Sequence, residues 1–346
     1  MVQYHQMIEI GQIIVGVRKS KGIGQNALAK RAGMTPAQLC QFEKGRVSPT
    51  LRTLERIAAA LDMTVVELLG GVGGVSTVEK PEPRETLPGD YVALRACEPD
   101  AAKALKAILP EEEKLVAIEG ERGISSACGL ALNYAQAKLD GAGEVLAEEV
   151  RVALGAGTLP FGDLASCLEY RGVRIYKVKL TGSTPSVSFW NKSRDSLSIV
   201  LNVSNTPERD VYRLAYEVGS ACLFVSSGLA PLEESLQEHR FIADFAAAFL
   251  MPAVSVRQYV AETGIGREGW NLRALCNLKF RFGVSAEAFA LRLEELGFIA
   301  PALRVKLRDA LRRRYRSRRG NMEPSPHLRS LDLSSRKEIL REGGGV

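Results

Sequence analysis

The 346-residue sequence predicts a mixed fold class, in which an all-α domain is followed by an α+β domain. Three observations lead to this prediction. Residues 25–43 have the spacing of two short helices joined by a tight turn. A stretch rich first in Gly and then in Pro follows over 70–84, as in a linker. From residue 164, a short helical pattern gives way to three alternating strands and a new helix start.

The first of these features predicts a helix-turn-helix. Ala29 is small, so the second helix can approach closely there, and Gly33 supplies the positive φ that the turn requires. Thr35 offers a side-chain oxygen to cap the second helix, and Pro36 suits its first position because that N–H has no partner. The spacing therefore predicts one exposed helix held against another.

Polar and apolar residues of the second helix lie on different faces. Leu39 and Phe42, three residues apart, point inward, whereas Gln38 and Gln41, also three apart, share the opposite face. The major groove of DNA admits one helix, and a glutamine amide can donate to and accept from an adenine edge. The alternative is a solvated polar face on a small helical bundle without a partner.

Residues 10–69 as a whole resemble the lambda-repressor/Cro type of DNA-binding domain, also called the XRE family, because both flanks of the motif match as well. Gly24 departs from the family, which usually has Ser or Thr there, but glycine costs only a few tenths of a kcal/mol as a cap. The resemblance implies a sequence-specific transcriptional regulator, a repressor, that binds a double-stranded DNA operator as a homodimer.

The resemblance also places individual residues on DNA. Gln38 and Gln41 would meet base edges, with Pro36 and Ala37 near a thymine methyl or the sugar. Residues at the helix start and after the recognition helix would meet phosphates. The complete predicted set is Gln25, Thr35, Pro36, Ala37, Gln38, Gln41, Lys44 and Arg46.

The net charge of +6 is unevenly distributed along the chain. Residues 304–319 hold nine basic residues and one acidic residue, so this segment carries +8 and the remainder −2. This segment predicts a basic helix after the last domain. Its charges either bind DNA phosphates or are only solvated. The six scattered cysteines favour reduced thiols, and the absence of a visible signal or membrane segment leads us to expect a cytoplasmic protein without a membrane partner.

The second half of the chain predicts a helix, three strands and another helix. Residues 164–172 form a helical pattern closed by glycine, and 173–180, 186–191 and 196–203 alternate as strands. Thr206-Pro207-Glu208 is a helix start made of a cap, a proline and an acid. Alanine-rich segments before these elements predict several helices with a role in core or dimer packing.

This order, over about 150–300, resembles the ImmA/IrrE metallopeptidase family, which is zincin-like and often fused to such a DNA-binding domain. In that family the helix carries H-E-x-x-H, whose imidazoles bind zinc while the glutamate is the general base. Here the corresponding residues are Tyr216-Glu217-Val218-Gly219-Ser220, so both imidazoles are missing. The family's later motif is present over 245–252. When the chain is aligned to it without a gap, the family's acidic zinc ligand corresponds to His239 or Phe241, neither of which is a carboxylate.

A catalytic zinc needs about three protein ligands and a water. The chain has three histidines, and a phenol with a free pKa near ~10 is a poor ligand at neutral pH. We therefore predict a pseudo-peptidase with no catalytic residue, no metal and no cofactor, in which the degenerate site is Tyr216, Glu217, Ser220 and His239.

The role that replaces catalysis stays open at this point. The second domain could sense a peptide, small-molecule or protein effector, or it could only dimerise the regulator. One alternative is a zinc metallopeptidase that cleaves a partner repressor, with Glu217, Glu238 and His239 as ligands. Another is an antitoxin or immunity-type regulator.

The predicted domain boundaries follow from these patterns. Residues 1–69 form the DNA-binding domain and 70–90 the linker. The pseudo-peptidase domain extends over 91–303, with a helical lead-in over 91–150. A basic helix and a disordered tail occupy 304–346.

Overall fold

The computed structural model of the protein divides into two compact units, Met1–Glu85 and Thr86–Val346. It describes residues 11, 13–43, 49, 51–63, 68, 87, 90–95, 100–125, 127–130, 142–181, 184–232, 235–267, 269–317 and 320–321. The predicted tail beyond the basic helix lies outside these residues, as does nearly all of the predicted linker.

The described part of the first unit is helical. Its elements are α1 (13–20), α2 (Gln25–Arg31), α3 (Pro36–Glu43) and α4 (Leu51–Ala60). They bury one small apolar core, which contains Ile14, Leu28, Leu39, Leu54, Ile57 and Leu61. The predicted all-α domain is thereby confirmed.

The predicted turn between the two crossing helices is confirmed in its local geometry. Gly33 has a φ of +62°, and Ala29 is fully buried where α2 meets the core. The Thr35 hydroxyl accepts a hydrogen bond from the Gln38 backbone N–H at 3.2 Å, as an N-cap does. Gly24 occupies the N-cap position of α2 without a side-chain cap.

The second unit contains a four-stranded sheet. Its strands are β1 (Tyr91–Ala93), β2 (Arg174–Val178), β3 (Ser186–Asn191) and β4 (Ser196–Asn202), in the order β1-β3-β4-β2. The pair β2 and β4 is parallel and the other pairs are antiparallel. The three predicted strands are confirmed, β3 with the predicted bounds.

The segment 91–150, predicted as a helical lead-in, begins with the strand β1, which pairs with β3. A three-residue strand is too short to show an alternating pattern, so its assignment depends on the neighbour with which it pairs.

Helices cover both faces of the sheet. Their bounds are α5 (Ala101–Glu121), α6 (Ala142–Ala153), α7 (Leu164–Tyr170), α8 (Pro207–Ser226), α9 (Leu236–Leu250), α10 (Ala253–Thr263), α11 (Leu272–Phe282), α12 (Ala286–Glu295) and α13 (Pro301–Tyr315). A short hairpin, β5 (Arg316–Ser317) and β6 (Gly320–Asn321), follows.

The sheet separates two cores. Ile175, Ile199 and Leu201 pack into the larger core together with α8 and α9, whereas Val187 and Val200 pack into the smaller one with α5. Because both faces are covered, β3 and β4 are buried along their whole length. The polar residues of these strands must therefore find partners inside the protein.

Two glycines let α9 approach its neighbours closely. A Cβ at Gly143 of α6 would lie 2.7 Å from the carbonyl oxygen of Phe241. A Cβ at Gly219 of α8 would lie 2.6 Å from the ring of Phe245. Since α9 is packed this tightly against α8, side chains on their facing turns can touch.

The basic helix is packed into the core of the second unit. Leu307 and Leu311 of α13 are buried in the larger core. Arg304 pairs with Glu294, and Arg312 pairs with Glu287 at 3.5 Å. The predicted division between residues 303 and 304 thus falls inside a helix that belongs to this core, because the apolar face of α13 is buried there.

Among the described residues, no single helix has both the length and the apolarity needed to cross a membrane. The helices α9 and α10 satisfy those criteria only as a pair, and they are bent by 50° at their junction.

Candidate functional site

Helix α3, the second helix of the predicted helix-turn-helix, presents its N-terminal end to solvent. Thr35, Pro36, Ala37 and Gln38 are exposed, and Gln41 is partly exposed on the same side. Leu39 is fully buried beneath them. Of the predicted DNA-contacting residues, Lys44 and Arg46 lie outside the described residues.

The Gln38 side chain takes part in a capping box. The Thr35 backbone N–H donates to Gln38 Oε1 at 3.0 Å, while the Gln38 N–H donates to the Thr35 hydroxyl at 3.2 Å. This arrangement occupies the amide oxygen and leaves Nε2 of Gln38 as a donor. The spacing Thr-x-x-Gln is the sequence signal that could have revealed it.

A partly buried ion pair joins the three helices around this surface. Glu43 at the end of α3 accepts from Arg18 Nε of α1 at 2.8 Å and from Gln25 Nε2 at the start of α2 at 2.6 Å. Arg18 also donates to the Ile23 carbonyl at 2.9 Å. Sequence reasoning missed Arg18 and Glu43, and it assigned Gln25 only to phosphate contact.

In the second unit, α8 and α9 bring Tyr216 and His239 together. The Tyr216 hydroxyl lies 2.8 Å from His239 Nδ1, and Tyr216 is 6% exposed. Two guanidinium groups lie near the tyrosine ring, with Cζ of Arg95 at 5.6 Å and Cζ of Arg213 at 5.1 Å from its centroid. Both distances are within the range of cation–π attraction.

Glu217 points away from this pair and toward the sheet, where it is fully buried. Its Oε1 accepts from Arg95 Nη2 at 2.9 Å and from the Ser186 hydroxyl at 2.6 Å, and its Oε2 accepts from the Ser188 hydroxyl at 2.5 Å. Burial alone would raise the pKa of Glu217, but Arg95 and the two serines outweigh it and hold the pKa below its usual value. The carboxylate is therefore ionised and saturated with donors.

The environment of Tyr216 favours the neutral phenol. Burial is the largest cause that raises its pKa, Arg95 opposes it, and the result is a pKa of about 12. The phenol therefore keeps its proton at neutral pH.

The other candidate ligands have partners of their own. The Ser220 hydroxyl donates to the Tyr216 carbonyl at 3.0 Å. Glu238 closes a capping box at the start of α9, where its Oε2 accepts from the Ser235 N–H at 2.9 Å. A carboxylate used as a helix cap is not directed toward Tyr216, so Glu238 does not complete the alternative ligand set.

These side chains do not fit a zinc site. A protonated phenol, a hydroxyl bonded to its own helix and a carboxylate saturated by one arginine and two serines cannot supply three ligands. Within the part of the chain that the structure describes, no cluster of three or more His, Cys, Asp or Glu is placed to hold a metal ion.

The sequence led us to predict Tyr216, Glu217, Ser220 and His239 as the degenerate site, but it did not reveal the residues that surround them. Arg95 lies just after β1, in a segment without a recognised pattern, and its backbone bridges to Leu232. The two serines of β3 alternate along one face of a strand, which the pattern did show. The pattern did not show that both serines donate to Glu217 on α8.

Two family models match this chain. The helix-turn-helix model matches residues 17–68, which include the second half of α1 and all of α2–α4. The M78 peptidase model, described as the IrrE N-terminal-like domain, matches residues 168–294, from the end of α7 to α12.

Individual proteins are similar to a part of this chain. The chain is 36% identical over 61 residues to the immunity repressor protein of Bacillus phage phi105, covering 18% of this chain and 42% of the relative. It is 35% identical over 60 residues to the HTH-type transcriptional regulator y4dJ of Sinorhizobium fredii, covering 17% of this chain and 78% of the relative. The match thus spans less than half of the phage repressor.

Among solved structures, the chain is similar to the restriction-modification controller protein C.AhdI from Aeromonas hydrophila. The identity is 28%, the TM-score is 0.18, and the match covers 18% of this chain and 97% of that protein.

Proposed function

We propose that this chain, which belongs to the helix-turn-helix family of transcriptional regulators, acts in the cytoplasm as a repressor. In this proposal it binds a specific DNA operator as a homodimer. The observation that carries this proposal is the exposed N-terminal end of α3 above a buried Leu39, held by the Glu43 ion pair. A helix held in this way can enter the major groove without rearrangement.

The two glutamines of α3 have different roles in this proposal. Gln41 has no hydrogen bond within the described part of the chain, so its amide can both donate and accept against an adenine. Gln38 uses its oxygen on Thr35 and offers only Nε2, which suits an acceptor such as guanine N7 or thymine O4. Pro36 and Ala37 contact a thymine methyl or sugar, while Gln25, Lys44 and Arg46 meet phosphates.

Selection of genomic fragments by the purified protein at physiological salt tests this assignment. We expect an enriched operator with two half-sites, and we expect Gln41→Ala to weaken operator binding by roughly 10- to 100-fold, since a bidentate contact discriminates by about 1–3 kcal/mol. Gln258→Ala, at an exposed position on α10, is the matched control and leaves affinity unchanged. If no sequence is enriched, or Gln41→Ala binds like the control, the proposal is wrong.

The IrrE-like domain works without zinc in this proposal, as a pseudo-peptidase that senses an effector or binds a partner. Its support is the donor set around Tyr216, in which each candidate ligand already has a protein partner. Without zinc, no water near Glu217 would gain the acidity that metallopeptidase hydrolysis needs.

Metal analysis of the purified chain tests this second part. We expect far less than one zinc per chain and a thermal midpoint that EDTA does not change. One zinc per chain that is lost in Glu217→Gln or His239→Ala would instead favour the metallopeptidase that cleaves a partner repressor. Co-purification of a stoichiometric protein partner would favour the antitoxin or immunity-type alternative.

A further inference from the structure

Within the part of the chain that the structure describes, three basic side chains of α13 face solvent without a carboxylate partner. Lys306, Arg313 and Arg314 are exposed, and none of them has an ion pair to a described residue. Arg314 lies over the ring of Tyr315, with its Cζ 5.7 Å from the centroid, a contact that leaves its positive charge in place. We call Lys306, Arg313 and Arg314 the basic face of α13.

Other basic residues of the same helix are paired inside the second unit. Arg304 pairs with Glu294, and Arg312 pairs with Glu287 at 3.5 Å, both on α12. These pairs neutralise charge where α13 meets α12. The exposed positive charge is therefore concentrated on the basic face, in a chain whose charge outside 304–319 sums to −2.

The spacing of the basic face suits an anion whose charges repeat. Lys306 and Arg313 are seven residues apart, so they lie on nearly the same side of α13 and about 10 Å apart along its axis. Each strand of duplex DNA carries one phosphate about every 3.4 Å along the axis of the duplex. Successive phosphates of one strand can meet both positions, whereas a small monovalent anion is matched to only one of them.

We propose that the basic face of α13 binds the phosphate backbone of duplex DNA, as a second and sequence-independent DNA contact of this chain. This inference goes beyond the proposed function, which places DNA only on residues of the first unit. Guanidinium and ammonium groups both bind phosphate, the first as a planar fork and the second as a point charge.

An anionic membrane is another extended surface of negative charge, but α13 does not suit it. A helix that binds at a membrane surface buries an apolar face in the lipid beside its basic face. In α13 the leucines are already used, because Leu307 and Leu311 are buried in the larger core and Leu303 packs against it. The helix therefore offers charge without its apolar face, which favours the phosphates of a duplex over a lipid surface.

Binding of the full-length protein to a mixed-sequence duplex tests this contact. Fluorescence anisotropy of the labelled duplex gives the association constant at several sodium chloride concentrations between about 50 and 200 mM. The test variant carries Lys306→Gln, Arg313→Gln and Arg314→Gln together. We expect its affinity to be roughly tenfold lower or more at about 100 mM salt. We also expect a slope of log K against log salt that is shallower by about 2–3, since each neutralised phosphate contributes about 0.9.

A matched triple variant controls for net charge. Lys103→Gln, Lys106→Gln and Lys114→Gln remove three exposed positive charges from α5, and we expect the affinity and the salt slope to stay as in the wild type. All six substituted side chains are exposed, so the circular dichroism spectrum of each variant should match that of the wild type.

A variant that keeps the charge makes the test independent of any change in folding. Arg313→Lys with Arg314→Lys should bind the duplex within about twofold of the wild type, because phosphate contacts depend mainly on charge. Vesicles containing phosphatidylserine are the second probe, and we expect the wild type and the glutamine triple variant of α13 to bind them equally.

The inference is overturned if the α13 glutamine variant binds the duplex like the wild type, or if the α5 variant loses as much affinity. It is also overturned if the lysine variant loses as much as the glutamine variant, or if the substitutions weaken only vesicle binding. An enriched operator with an unchanged salt slope would show that only this inference has failed. No enriched operator, together with a shallower slope in the α13 variant, would show that only the proposed function has failed.

Discussion

Replacing Arg174 by Met is expected to lower the free energy of unfolding of the second unit by about 3–5 kcal/mol, the range for removing one partner of a buried ion pair. Arg174 is 1% exposed on β2 and donates to Glu112 at 3.0 Å and to Glu119 at 2.7 Å. Both glutamates of α5 are fully buried. Without the arginine, two carboxylates would remain buried without the guanidinium that bonds both of them.

Hydroxyl groups complete this cluster. Tyr176 and Ser198 both donate to Glu112. They cannot neutralise it, so the missing charge of Arg174 is not replaced. Burial, Glu112 and the Glu112 hydrogen bond together raise the pKa of Tyr176, so its phenol stays protonated as a donor.

Equilibrium unfolding in urea, followed by circular dichroism, measures this effect. The matched control is Arg122→Met at the exposed end of α5, which is expected to change stability by less than about 0.5 kcal/mol. A triple variant, Arg174→Met with Glu112→Leu and Glu119→Leu, should recover at least half of the loss, because no charge stays buried without a partner. Equal losses in the single and triple variants would contradict this explanation.

Glu217→Ala is expected to cost a similar amount, about 3–5 kcal/mol, because it leaves the buried Arg95 guanidinium and two strand serines without their acceptor. Glu149→Ala, at an exposed position on α6, is the control and should be close to neutral. A loss of less than about 1 kcal/mol in Glu217→Ala would show that this carboxylate does not hold α8 to the sheet.

The same carboxylate gives a pH dependence with a defined sign. Its folded-state pKa is held below the usual value of 4.5, so its contribution to the free energy of unfolding is fully present above about pH 4.5 and is lost as the pH falls toward the folded-state pKa. The stability difference between wild type and Glu217→Gln should therefore be constant above pH 6 and shrink below pH 4.5. A difference that grows on acidification would contradict the lowered pKa.

Sequence reasoning succeeded where each residue acts on its near neighbours. The turn at Gly33, the cap at Thr35 and the bounds of β3 all depend on contacts within a few residues. The three-residue strand β1 and the glutamates of α5 were missed, because neither has a local pattern that differs from its surroundings.

The amino-acid sequence was sufficient to identify the two domain types, and the resemblance led us to expect Tyr216 and Ser220 at the positions of the two imidazoles of a zinc helix. It could not show what Glu217 does, since its partners lie 122, 31 and 29 residues away along the chain. Helix spacing and helix caps depend on residues that are close together in the chain, so they can be predicted from the sequence. The pairing of a buried charge is set by which strands and helices the topology brings together, and here the topology places Glu217 against Arg95, Ser186 and Ser188.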